Sequence, residues 1–107
     1  MIKRAIPVFA MSCVLAATSH VQAQDVGAGE RMAQTWCSNC HVVDAAQQKA
    51  GNDGVPSFPS IARRASTTQM SLTVFLSTPH GRMPDYSLTR TEIGNVAAYI
   101  LSLRDKP

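Results

Sequence analysis

The chain has 107 residues, ten of them Lys or Arg and seven Asp or Glu, for a net charge of +3. That length admits one small domain and excludes two. The positive charge is not gathered: the longest basic cluster is Arg63-Arg64 and no basic run interleaves with aromatic residues, which excludes nucleic acid as an expected partner.

The first residues read as a secretory signal peptide. Lys3 and Arg4 form a short basic start, residues 5–17 are mostly apolar, and Val21-Gln22-Ala23 offers small residues at the cleavage positions. The expected organisation is a signal peptide over 1–23 and one domain over 24–107, exported to the periplasm or an equivalent compartment. The apolar run is shorter than the roughly 20 residues a bilayer span requires, and nothing after residue 23 approaches that length, so no membrane span is expected in the mature chain. Cleavage would remove Cys13 with Lys3 and Arg4, leaving 84 residues, two cysteines and eight basic against seven acidic side chains, a net of +1. A domain of that size usually needs a disulfide, a metal or a cofactor to complete its core.

Asp25 can cap a first helix over residues 26–37, with Val26, Met32, Ala33 and Trp36 available for one face. Residues 42–60 change character, because Gly51, Asn52, Asp53, Gly54, Pro56 and Pro59 break any regular period. A loop this long in so small a domain is usually functional or wrapped around something. Ser66 or Thr67 can cap a middle helix to about Leu76, with Met70, Val74 and Phe75 near one face and Pro79 as its stop. A second irregular stretch, 78–87, comes next. Thr89 and Glu92 have capping-box spacing at the head of a last helix, in which Ile93, Val96, Ala97, Ile100 and Leu103 keep a helical period. No segment alternates as a strand does, so the predicted fold class is all-α.

The chemistry lies in Cys37-Ser38-Asn39-Cys40-His41. Two cysteines three apart on a helical turn face the same way, so both thiols can add to the vinyl groups along one edge of a haem. His41 then lies where its imidazole can coordinate the iron. A disulfide between Cys37 and Cys40 would close a trivial loop and restrain little. A thioredoxin-like pair would share the spacing but expects a βαβ pattern. A zinc site needs four ligands, and beyond these three residues the mature chain adds only His80 and exposed carboxylates. One covalently attached haem is the favoured reading, and enclosing it would supply core that Trp36, Phe58, Phe75, Tyr86 and Tyr99 cannot supply alone. Arg63-Arg64 reads as a solvated face, with contact to an acidic partner or a haem propionate as the alternative.

These residues resemble the monohaem cytochromes c over nearly all of the mature chain, from Gly29 to Leu103. Gly29, eight residues before Cys37, is similar to the family's small residue where the last helix crosses the first. Ala98-Tyr99-Ile100 resembles the aromatic-bearing segment that makes the crossing. Val55-Pro56 resembles the loop whose proline carbonyl receives the proximal histidine's N–H, and Met83-Pro84 the segment that supplies the sixth iron ligand. Ala33 stands where an aromatic is common, and the connection from His41 to Pro56 is long. The resemblance implies a fold of three or more helices and loops wrapped around one covalently bound haem c.

Four side chains are candidates for the sixth position. Met32 is expected to pack between helices and Met70 to fill a core gap. His80 and Met83 share the irregular stretch after Pro79, and Met83 is favoured because Pro84 stiffens the backbone after it and matches the family's pattern. The expected binding set is therefore Cys37, Cys40, His41 and Met83, with His41 and Met83 on the metal. With both axial positions filled, the expected activity is outer-sphere electron transfer between a dehydrogenase and an oxidase or other acceptor, met in transient contacts, with no catalytic residues. The alternatives are an open-site haem protein that binds a gas or reduces peroxide, and a redox subunit of a stable dehydrogenase complex.

Overall fold

A computed structural model of the chain describes residues 2–5, 23–46, 54–79 and 81–106. The apolar run of the signal segment, the glycine-rich part of the long loop and His80 lie outside the described residues. Four α-helices occur in the order α1 (Val26–Met32), α2 (Phe58–Arg63), α3 (Gln69–Ser77) and α4 (Arg90–Ser102), with no strand among the described residues.

Asp25 starts α1 as expected, its carboxylate accepting from the Ala28 amide at 2.9 Å. The helix does not run evenly to Cys37. At Ala33 it widens into a π-helical turn, Ala33–Cys37, in which the Ser38 amide reaches back to the Ala33 carbonyl at 2.9 Å. The extra residue rotates the next part of the chain by about 100° around the axis relative to an unbroken α-helix. Trp36 and Cys37 are thus re-aimed with respect to α1.

The long loop ends earlier than the sequence suggests. Ser57 caps α2, its hydroxyl accepting from the Ser60 amide at 3.2 Å, and Pro59 sits in the first turn, where it starts a helix rather than breaking one. The middle helix is shifted by a residue or two: its cap is Thr68, in a reciprocal capping box with Ser71. The Thr89–Glu92 capping box forms as expected, at 2.7 and 3.2 Å.

The core gathers on α4. Ile93, Val96, Ala97, Ile100 and Leu103 are all buried, as their period requires, and Tyr99 joins them. Ala33, Val43, Phe58, Ala62 and Leu72 pack against this face, with Met32 and Cys37 partly buried at its margin. α1 crosses α4 at Gly29. A Cβ there would overlap the Asn95 carbonyl oxygen and lie 2.5 Å from its carbon and 3.0 Å from the Tyr99 Cβ. The two backbones are in contact, and the Asn95 side chain also accepts from the Asp25 amide at 2.8 Å. At the other end of α4, Arg104 donates to the carbonyls of Ala62 and Thr67 at 2.8 and 2.6 Å. Arg63 is more than a solvated charge, because it donates to the Lys106 carbonyl at 2.9 Å.

Met70 departs from expectation: it is 72% exposed and fills no core gap. α3 turns Leu72 inward, and Met70 lies about 160° around the axis from Leu72.

Candidate functional site

The end of the π-helical turn delivers the motif. The amides of Cys40 and His41 both bond to the Cys37 carbonyl, at 3.1 and 2.9 Å, which folds the five residues into one tight turn. Cys37 and Cys40 are both free thiols, each partly buried. Burial pushes the Cys37 thiol up to about 11. A redox-active cysteine pair relies on a thiolate favoured near neutral pH, and this environment does the opposite. Among the described residues no three His, Cys, Asp or Glu side chains cluster as a zinc site would need.

His41 is held from two sides. Its Nδ1–H donates to the Pro56 carbonyl at 2.6 Å, and its ring lies 5.3 Å from that of Phe58. With the proton on Nδ1, Nε2 carries the lone pair for a metal. The long connection to Pro56 is closed by the Phe58 amide, which donates to the Val42 carbonyl at 2.8 Å. Phe58 in turn meets Tyr99 in a tilted contact, centroids 6.4 Å apart, and the Tyr99 hydroxyl donates to the Val43 carbonyl at 2.7 Å. α4 therefore supports the histidine through two aromatic rings, and its Tyr99 pins the chain just after it. Neither link is readable from spacing, since residues 41, 58 and 99 meet only through the fold.

Tyr99 makes the fold sensitive to alkali. Burial, then the negative charges of Glu30 and Asp44, raise its phenol from 10.0 to about 12. The folded chain holds this proton more tightly than the unfolded chain, so the contribution is complete below pH 10 and is lost as pH rises through 12. Tyr99→Phe is expected to cost about 1 kcal/mol at neutral pH through the missing hydrogen bond and to flatten the fall in stability between those limits. Chemical denaturation at stepped pH on both proteins measures this, and parallel alkaline curves would count against it.

Met83 lies half-buried in a groove with Leu76, Thr78, Pro79, Pro84, Tyr86 and Leu88, between the end of α3 and the start of α4. Tyr86, three residues on, places its ring 5.5 Å from that of Trp36, directly before Cys37. The Met83 segment is thus brought against the element that bears the cysteines. Met32 packs at the core margin, as expected.

A haem suits these residues. Two thiols three residues apart suit attachment to the edge of a haem, and an imidazole fixed in one tautomer with a thioether on a neighbouring loop suits its iron. The chain also leaves large apolar side chains in the open: Trp36, Phe75 and Tyr86 are 48%, 50% and 38% exposed. A flat apolar group has surface here to cover.

Comparison with known proteins agrees. Residues 24–100 match the family described as cytochrome C oxidase, cbb3-type, subunit III. The chain is 47% identical over 91 residues to cytochrome c-552 of Bradyrhizobium diazoefficiens, covering 85% of this chain and 86% of that protein. No solved structure matches. The helices of the described residues, the Cys-x-x-Cys-His turn and both matches lead to one assignment: the chain belongs to this family of c-type cytochromes, as a small electron-transfer protein that carries covalently bound haem c.

Proposed function

We propose that one haem is joined by thioethers to Cys37 and Cys40, with His41 Nε2 and the Met83 sulfur as axial ligands, in an exported carrier that shuttles electrons from a dehydrogenase to a terminal acceptor. The observation that carries this reading is the 2.6 Å hydrogen bond from His41 Nδ1 to Pro56, which orients the imidazole directly after the two thiols. When bound, the haem supplies the change of oxidation state. The chain's own residues attach it, hold the imidazole still and shield the groove around Met83.

The family match begins at residue 24, which supports removal of 1–23 as a signal peptide and residence in the periplasm or an equivalent compartment. Among the described residues no helix is long and apolar enough to cross a membrane. The cytochrome c-552 relative is covered over 86% of its own length, so the two chains are of similar size. Donor and acceptor are met in turn, so each contact is expected to be short-lived and to bury less than about 1,200 Å².

Met83→Ala tests the ligation. The weak red absorption band of the sulfur-to-iron bond is expected to disappear. The reduction potential should fall by on the order of 0.1 V, within the roughly 0.8 V range that axial ligands set. Reduced wild-type protein should refuse carbon monoxide at neutral pH while the variant takes it up. A wild-type protein without the red band would move the sixth ligand to His80 or leave the position open, and a variant that keeps the band would move it to another sulfur, Met70.

A further inference from the structure

The loop that carries Met83 packs beside Leu76 and Pro79 but has few hydrogen bonds to hold it. Among the described residues, no backbone hydrogen bond ties residues 81–88 to another element. The loop backbone's one described link to a side chain is local, from the Ser87 amide to the Asp85 carboxylate at 2.8 Å. Ser87 adopts a φ of 52°, a conformation that residues other than glycine hold only when neighbouring contacts fix it. The ring contact that ties this loop to a distant element is the one between Tyr86 and Trp36, 5.5 Å between centroids and tilted by 44°. Both rings are substantially exposed and neither belongs to the core cluster that the chain's own side chains make.

We propose that Trp36 and Tyr86 form a latch that holds the Met83 loop closed against the cysteine-bearing turn and so sets how readily an outside ligand displaces Met83 from the iron. The proposal rests on Met83 being the sixth ligand. Its physical content is a local equilibrium. The loop opens as the Met83 sulfur leaves the iron, and the aromatic contact is lost in the same step. A tilted aromatic pair is strong enough to shift such an equilibrium about fivefold. Tyr86 acts through its ring, since no described hydrogen bond engages its hydroxyl. Both are positioning residues that act on Met83.

Imidazole titration of the ferric holoprotein, monitored in the visible spectrum, is the test. Trp36→Ala and Tyr86→Ala should each raise the affinity for imidazole about fivefold, and the double variant should go no further, because either change already breaks the pair. Tyr86→Phe and Trp36→Phe should restore wild-type affinity. The red band of the imidazole-free variants should persist, because the closed form still dominates. Affinities within twofold of wild type, or single effects that add in the double variant, would overturn the latch while leaving the Met83 assignment intact. If instead wild type lacks the red band or Met83→Ala retains it, the ligand assignment fails and the latch falls with it. Should Trp36→Ala impair haem attachment through its neighbour Cys37, Tyr86→Ala and Tyr86→Phe decide the matter between them.

Discussion

Substitution of both Cys37 and Cys40 by alanine is expected to abolish accumulation of covalent haem protein, and His41→Ala to impair assembly at least as severely. Each thiol would form one bond to the haem, and together they place His41 at the end of a turn whose amides converge on the Cys37 carbonyl. The protein part cannot make up the loss by packing. Among the described residues, three of the eleven buried hydrophobic ones, Ala33, Ala62 and Ala97, are alanines, while Phe75 and Val74 stay at least half exposed. A small domain with so slender a core depends on its cofactor. The apoprotein should therefore lack the cooperative melt of the holoprotein by far-ultraviolet circular dichroism. Haem-stained denaturing gels of the exported fraction measure attachment. Normal amounts of stained protein from the double cysteine variant would refute the attachment.

Gly29→Ala is expected to destabilise the holoprotein by more than about 3 kcal/mol, or to prevent its accumulation, by forcing α1 off α4. A methyl group there would overlap the Asn95 carbonyl, a backbone group inside a helix that no rotamer change can move. For a domain of this size that loss lowers the midpoint of thermal unfolding by at least about 12 °C. Gly27→Ala supplies the control. Its Cβ would meet only side-chain atoms, Asp25 Oδ1 at 3.4 Å and Arg31 Nη1 at 3.5 Å, and alanine favours the helix, so it should be neutral or slightly stabilising. Equal melting points for the two variants would show that the two helices can part at the crossing without cost.

Local chemistry determined how much could be read along the chain. The all-α class, the caps at Asp25 and Thr89, the buried stripe of α4 and the Cys37 to His41 motif are all consequences of residues within about four positions of each other, where helical geometry and hydrogen bonding operate. Misreadings arise where two local signals compete. Pro59 reads as a loop breaker until Ser57 is recognised as the cap before it, and Met70 reads as core until α3 turns Leu72 inward instead. Tertiary structure alone decided the rest. The approach of Asn95 to Gly29, the support of His41 by Phe58 and Tyr99, and the meeting of Trp36 with Tyr86 join residues up to 66 positions apart. The physical reason is the range of the forces. A cap or a helical stripe is satisfied by its own neighbours, whereas a ring finds its partner only after burial of the α4 face has drawn the separate elements together.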